Sequence, residues 1–222
     1  MLNVIAPGRD GATLVNSSPF APALLPKELT VEAIRIIREE HRSLAAVLHG
    51  MVYLVREIRD RGARPDFALL GAMIYYIDTF PERLHHPKED KYLFRLLRMR
   101  HAEAVPLLER LEQEHRAGAG KIRALEQALA RFQQGGFNEF SAFATAVDAY
   151  ADFHWEHMRA EENEVFPLAE KYLTAGDWEA IDAAFTDHRD PLFGSAAGQA
   201  YEELFRRIVN LAPPPIGVGP VR

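Results

Sequence analysis

The sequence predicts an all-α protein: an up-down-up-down four-helix bundle with short C-terminal helices packed outside it. Three observations lead there. Apolar residues recur in steps of three and four through four long segments. Strand signals are scarce. Glycine, proline and capping residues punctuate the chain between those segments, and connections this short make consecutive helices antiparallel neighbours.

Residues 1–30 carry Pro7, Pro19, Pro22 and Pro26 and no sustained period, so they read as an extended leader. The first helix is expected after Thr30 as N-cap, with Glu32 in its first turn, and stops at Gly62. The second begins at Asp66 after Pro65 and runs to about Met99. The third starts near His101, tolerates Pro106 early, and ends before Gly135-Gly136. The fourth takes Asn138 as cap and Glu139 in its first turn, and runs to about Leu173. Residues 31–173 are therefore expected to form the bundle. A shorter helix with Asp177 as N-cap and a last one over Ser195–Asn210 make 174–211 an appendage. The Pro/Gly run from Ala212 makes 212–222 a polyproline-like tail.

A chain of 222 residues can bury a sizeable core. The absence of cysteine removes disulfides, thiolate metal sites and cysteine nucleophiles together. A net charge of -6 gives no footprint for nucleic acid or an anionic membrane. No apolar run approaches the roughly 20 residues of a membrane helix, and no basic-then-apolar leader is read. A cytoplasmic protein is expected. Against that plain background stand nine histidines, and their placement is informative.

The inward row of the first helix is Ile34, Ile37, His41, Leu44, Leu48, which points His41 at the core. The second gives Leu70, Ile74, Ile77, Pro81, His85, Glu89, Tyr92, Leu96. The third gives Leu108, Leu111, His115, Gly118, Ile122, Leu125. The fourth gives Phe140, Phe143, Val147, Tyr150, His154, His157, Glu161, Leu168. Each long helix thus carries an inward histidine, and two add a glutamate four residues on. A lone core histidine, or a His/Glu pair one turn apart, has an ordinary structural explanation. Four helices doing so at matching depth do not. Two buried carboxylates cost several kcal/mol each unless a positive charge compensates. Charging several neighbouring imidazoles is itself costly. A pair of divalent cations answers both problems, and this donor set suits iron, manganese or zinc.

The most specific segments are Glu40-His41, HHPKEDKYLF over 85–94, Glu114-His115, and HMRAEENEVFP over 157–167. At these residues the chain resembles the hemerythrin-like, HHE cation-binding family over about Val31–Leu173. In both HxxxE elements the glutamate is followed by an acid, and a phenylalanine (Phe94, Phe166) stands nine residues after the histidine, as an old duplication would leave. The resemblance implies two non-haem iron ions bridged by carboxylates and an oxo or hydroxo group. Carried over residue by residue, it implies His41, His85, Glu89, His115, His157 and Glu161 as ligands. Oxygen-carrier hemerythrins have a second histidine four residues on in the third helix, where this chain has Ala119. Their last carboxylate is an aspartate five residues after its histidine, where Glu161 follows His157 by four. This set leaves open positions, which suits binding of O2 or NO for sensing, storage or oxidative and nitrosative stress response. No substrate-turnover chemistry is read.

Two further histidines bear on the site. His154, one turn before His157, is a candidate fifth imidazole, with support of a ligand or a channel lining as the alternatives. His86 lies about 100° round the helix from His85 and is read first as a surface or supporting residue. Gly118 is expected to leave a gap where a diatomic ligand fits, and Pro87 to kink the second helix. His49, His101 and the loop residue His188 are not read as ligands. Two competing functions remain. A ferritin-like di-iron oxidase or peroxidase would use Glu82-x-x-His85 and Glu112-x-x-His115, but leaves His41 and His157 without a role. A helical interaction module with a vestigial metal site would act through a protein partner or as a homo-oligomer.

Overall fold

The computed structural model describes residues 31–186 and Asn210, and among them it contains helices and turns but no strand. Helix α1 is Glu32–Arg61. Helix α2 covers residues 67–100 and alternates two kinds of turn. Phe67–Ile77, His86–Lys88 and Arg95–Arg100 are α-helical, while Asp78–His85 and Glu89–Phe94 are π-helical. A 3-10 turn over Ala102–Ala104 leads into α3, Val105–Gly135. A second 3-10 turn, Gly136–Glu139, leads into α4 over residues 140–172, whose Glu161–Val165 stretch is again π-helical. Helix α5 is Ala175–Thr186. The leader 1–30, His188, the tail 212–222 and, Asn210 apart, the helix expected over Ser195–Asn210 lie outside the described residues.

Local chemistry explains most helix ends. The Asp66 carboxylate accepts the Leu69 N–H at 2.9 Å, so Asp66 caps α2 instead of being its first helical residue. Gly62, at φ +64°, closes α1, and the Ala63 N–H returns to the Glu57 carbonyl at 3.2 Å. Other ends differ from expectation. Thr30 is not described; α1 follows an extended Val31, and its Ala33 N–H is satisfied from afar, by Asp182 Oδ1 of α5 at 2.8 Å. His101 is extended, so α3 begins only at Val105. Asn138 sits inside a 3-10 turn and caps nothing. Asp177 lies in the first turn of α5 rather than at its cap. Thr174 Oγ1 accepts the Asp177 N–H at 3.3 Å, and Asp177 Oδ2 accepts the Thr174 N–H at 2.9 Å. This reciprocal pair needs a hydroxyl outside the helix and an acid three residues on.

Helix α1 packs against α2 and α4, and α3 packs against the same two; α5 lies against α1 and the Glu89–Phe94 turns of α2. The buried apolar side chains fall into two clusters. One gathers Leu44–Ile58 of α1, Leu69–Phe80 of α2, Ile122–Phe132 of α3 and Phe143–Met158 of α4. The other gathers Ala33–Ile37 of α1, Leu93–Leu97 of α2, Ala104–Leu111, Ala160–Leu173 and Trp178–Phe185. Between them lies a layer of buried polar side chains: Glu40, His41, Ser43, His85, His86, Glu89, His115, His154, His157 and Glu161.

The π turns correct the expected stripes. Beyond Glu89 the fully buried residues are Leu93, Phe94 and Leu97, with Tyr92 only partly buried. Beyond Glu161 they are Val165, Phe166 and Ala169, with Leu168 only partly buried. Each π turn takes in extra chain and rotates everything after it. Pro87 does not break α2: it sits between two π stretches, with the His86 N–H reaching the Pro81 carbonyl and the Glu89 N–H that of His86.

Arg100 makes two hydrogen bonds to Asp177, at 2.8 and 3.0 Å, and these hold its carboxyl down at about 2. The folded value lies below the unfolded one of about 3.9. Stabilisation is therefore present above that pH and lost on acidification through the folded value. Denaturant titration of Asp177→Ala should show a loss of about 1–2 kcal/mol at pH 7, and the difference from wild type should fade between about pH 4 and pH 2.

Candidate metal centre

The polar layer is built by exchange between neighbouring helices. His41 of α1 places Nδ1 2.9 Å from Glu162 Oε1 of α4. His85 of α2 places Nδ1 2.6 Å from Glu40 Oε2 of α1. His115 of α3 places Nδ1 2.7 Å from Asp90 Oδ1 of α2. His157 of α4 places Nδ1 2.8 Å from Glu114 Oε2 of α3. The carboxylates accept, so each Nδ1 carries the hydrogen and each Nε2 is left with a lone pair. All four Nε2 atoms face two central carboxylates. His41 Nε2 is 3.2 Å from Glu161 Oε2, and His85 Nε2 is 3.4 Å from Glu89 Oε2. His157 Nε2 is 3.3 Å from Glu161 Oε1, and His115 Nε2 lies 3.7 and 3.6 Å from Glu89 and Glu161.

Glu89 and Glu161 have no solvent exposure, and none of their four oxygens has a hydrogen-bond partner. Burial, with Glu161 alongside, pushes the Glu89 carboxyl well above the usual range. Burial also raises Glu161, but His157, His115 and His41 outweigh it and hold that carboxyl well below. His157 is pushed up to about 10, because Glu161 and Glu114 overcome the burial that opposes its charge. Burial and the neighbouring His41 drive His85 well down. Protons alone thus leave one central acid neutral and one imidazole starved of charge. His115 Nε2 and His157 Nε2 stand 2.9 Å apart, a contact that needs either one proton shared between the two nitrogens or a cation bound by both. At metal–nitrogen bonds of ~2.1 Å, two nitrogens at right angles on one cation stand ~3.0 Å apart. The ligand atoms of Glu89, His115, His157 and Glu161 lie within 4.8 Å of one another, as do those of His41, His85 and Glu89. The donor set fits cation binding, and Glu89 is common to both of these groups.

A model of the Hemerythrin HHE cation binding domain matches residues 32–169, well over half of the chain. The chain belongs to this family. No curated protein sequence matches it. The match to the HHE domain and the clusters of ligand-type atoms converge on cation binding at the polar layer. No helix among the described residues is long and apolar enough to cross a membrane.

The remaining sequence candidates divide clearly. His154 is fully buried, yet the carboxylate it faces is Glu82, with Nε2 3.4 Å from Oε1. His86 is not a surface residue: it is 4% exposed and stacks on His115 at 4.2 Å between ring centroids. The gap expected at Gly118 is filled, because the Glu82 carboxylate lies against that glycine and accepts the Tyr150 hydroxyl at 3.0 Å. Glu112 points away from the layer and bonds Arg98 at 2.7 Å, so the ferritin-like element Glu112-x-x-His115 is not assembled. His49 packs at a tilt against Trp155 and His101 stacks on Tyr172, neither in the HHE layer. The sequence reading did not assign roles to Glu40, Asp90, Glu114 and Glu162, although the acid after each HxxxE glutamate and the acid before each helix-leading histidine were their signal.

A Cβ at position 118 would collide with the Glu82 carboxylate. Gly118→Ala should therefore destabilise the protein by about 1–3 kcal/mol in the wild-type background. In a Glu82→Ala background the collision is gone, and the same substitution should stabilise by up to about 1 kcal/mol through helix propensity alone. The reversal of sign across that double-mutant cycle is the measurement.

Proposed function

We propose that this HHE domain holds two iron ions and binds a diatomic ligand, O2 or NO, for sensing, storage or stress response. The observation that carries the reading is the pair of wholly buried carboxylates, four oxygens without partners, ringed by four imidazole nitrogens whose opposite faces are tied to acids. In it, Glu89 and Glu161 would hold the irons jointly, and His41, His85, His115 and His157 would each bind one of them. We also read the four long helices as an up-down-up-down bundle. Supporting this, successive helices run through the two apolar clusters in alternating order, and Arg59 pairs with Asp148 while His41 pairs with Glu161.

A pair of ferrous ions held there would supply O2 with two electrons, one from each ion, so that no one-electron-reduced oxygen is released, and would offer NO a binding position. The chain's own residues set the conditions. The apolar clusters on either side of the layer exclude water. The four Nδ1–H donors fix ring orientation and ligand basicity through Glu162, Glu40, Asp90 and Glu114. Glu162, Asp90 and Glu114 are only partly buried and return negative charge to the centre from its rim, whereas Glu40 is itself buried and does so from within the layer.

Protein produced in iron-replete cells should contain close to two irons per chain, and the reduced form should develop near-ultraviolet and visible charge-transfer absorption on exposure to O2. A single zinc per chain would sink the reading. Glu89→Ala and Glu161→Ala should each lose metal, whereas Glu82→Ala should keep it. Substituting a supporting acid is a subtler test: Asp90→Asn and Glu114→Gln should weaken metal binding about 10–100-fold with little change in helicity.

A further inference from the structure

We propose that α5 is a splint across the π-helical stretch Glu89–Phe94 of α2, and that Lys88 and Asp177, which fasten its two ends, are positioning residues for Glu89. This inference deepens the metal-centre reading above and rests on it.

Helix α5 is tied to α2 on both sides of that stretch. Before it, the Lys88 ammonium donates to the Ala184 carbonyl at 2.9 Å. Ala184 lies in the last turn of α5, where carbonyls lack partners within the helix and a cation is favoured. After it, Arg100 donates twice to Asp177 in the first turn of α5, at 2.8 and 3.0 Å. Between these ends, Trp178, Ile181 and Phe185 of α5 are buried in one cluster with Leu93, Phe94 and Leu97. A third tie runs sideways. Asp182 accepts the Ala33 N–H in the first turn of α1, so α5 also joins the helices that carry His41 and His85.

The π stretch is where α2 needs support, because the same chain has the commoner α form open to it. If the stretch relaxed to α with Lys88 fixed, the chain beyond would turn back. Leu93, Phe94 and Leu97 would then leave the core, and Arg100 would leave Asp177. If Arg100 stayed fixed instead, Glu89 and Asp90 would turn out of the polar layer. With both ends held, only the π register satisfies core and layer together.

The other half of the site lacks these ties. Exchanging α1 with α3 and α2 with α4 maps Glu40–His85 onto Glu114–His157, and His41–Glu162 onto His115–Asp90. His86 and Gly118 then map onto Met158 and Leu44, both buried in an apolar cluster. Lys88 maps onto Ala160 and Arg100 onto Tyr172, so the π stretch Glu161–Val165 of α4 has neither cation at its ends. The match to the HHE domain ends at residue 169, before α5 begins. The splint thus lies outside the matched domain and serves Glu89, not Glu161.

The test uses the full chain and two readouts, with helicity followed by circular dichroism. In metal-free Lys88→Met, amide hydrogen exchange over residues 89–94 should quicken at least ~5-fold, while exchange over 161–165 stays as in wild type. Calorimetric titration with Co(II) should show affinity lowered about 10-fold. The sign is informative: losing a positive charge near the layer would by itself raise affinity for a cation, so a fall reports lost positioning. Asp177→Ala should move both readouts the same way. Asp66→Ala removes the cap at the far end of α2 and should move neither. Wild-type exchange over 89–94 in the two end variants, wild-type Co(II) affinity in them, or equal changes in Asp66→Ala would each overturn the splint. Should Lys88→Met misfold, Asp177→Ala decides on the same readouts. Wild type that binds no Co(II) would overturn the metal-centre reading, an outcome separate from the exchange pattern.

Discussion

Glu89 and Glu161 are the constraint around which this molecule is organised. A single ionised carboxylate taken wholly out of water costs several kcal/mol, and here two sit together without any hydrogen bond to their oxygens. Nothing in the apolar clusters on either side can offset that cost. The compensation has to be gathered in one thin layer, from four helices at once. This is why each long helix contributes an inward histidine, and why the apolar core is split in two instead of running the length of the helices. A metal-free centre can only trade protons among these groups, and the opposed shifts of Glu89 and Glu161 show how poorly protons meet the demand.

The imidazoles in turn depend on a lattice of acids that crosses between helices. No histidine is supported by the acid beside it in sequence. Glu40 precedes His41 but binds His85, and Glu114 precedes His115 but binds His157. Likewise Asp90 and Glu162 follow the central glutamates yet serve histidines on other helices. Neighbours in sequence point about 100° apart on a helix, so an inward residue and the next one inevitably address different partners. The result ties α1 to α2 and α4, and α3 to α2 and α4, through the same bonds that orient the ligands. Packing and site geometry are one network, and loosening either loosens both.

Much of this was legible from sequence, and the limits are physical. The four helical stretches and the inward histidines follow from periodicity and punctuation, because an α-helix repeats the same geometry for its whole length, and the HHE resemblance rests on the motif residues at 85–94 and 157–167. The register beyond Glu89 and Glu161 did not follow, since a π turn takes in extra chain and no residue type announces it. That is how Leu93 and Phe94 displaced Tyr92, and Ala169 displaced Leu168. Helix starts were misplaced where the cap comes from elsewhere: Ala33 is satisfied by Asp182, far along the chain. The reading of Gly118 as a gap failed for a related reason. A missing side chain shows that room exists but not what occupies it, and the occupant is Glu82, on another helix.

The two halves of the site are near copies, and the places where they differ carry the most information. A symmetric pair of cations would offer a ligand two equivalent positions, and a diatomic molecule bound between them would have no preferred end. Here one half has glycine where the other has leucine, and histidine where the other has methionine. The glycine admits a third buried acid, Glu82, close behind that extra histidine, and Tyr150 and His154 hold it there. Burial raises the Glu82 carboxyl, yet its contacts with His154 and His86 bring it well below the usual range, so the acid stays ionised inside the protein. A buried negative charge of that kind is expensive to keep unless it serves something beside it. What lies beside it is the ring of His86, stacked against His115 at the edge of the layer. The departure from symmetry therefore places a buried acid and an extra buried histidine in one half of the polar layer, where the other half has leucine and methionine in the apolar core.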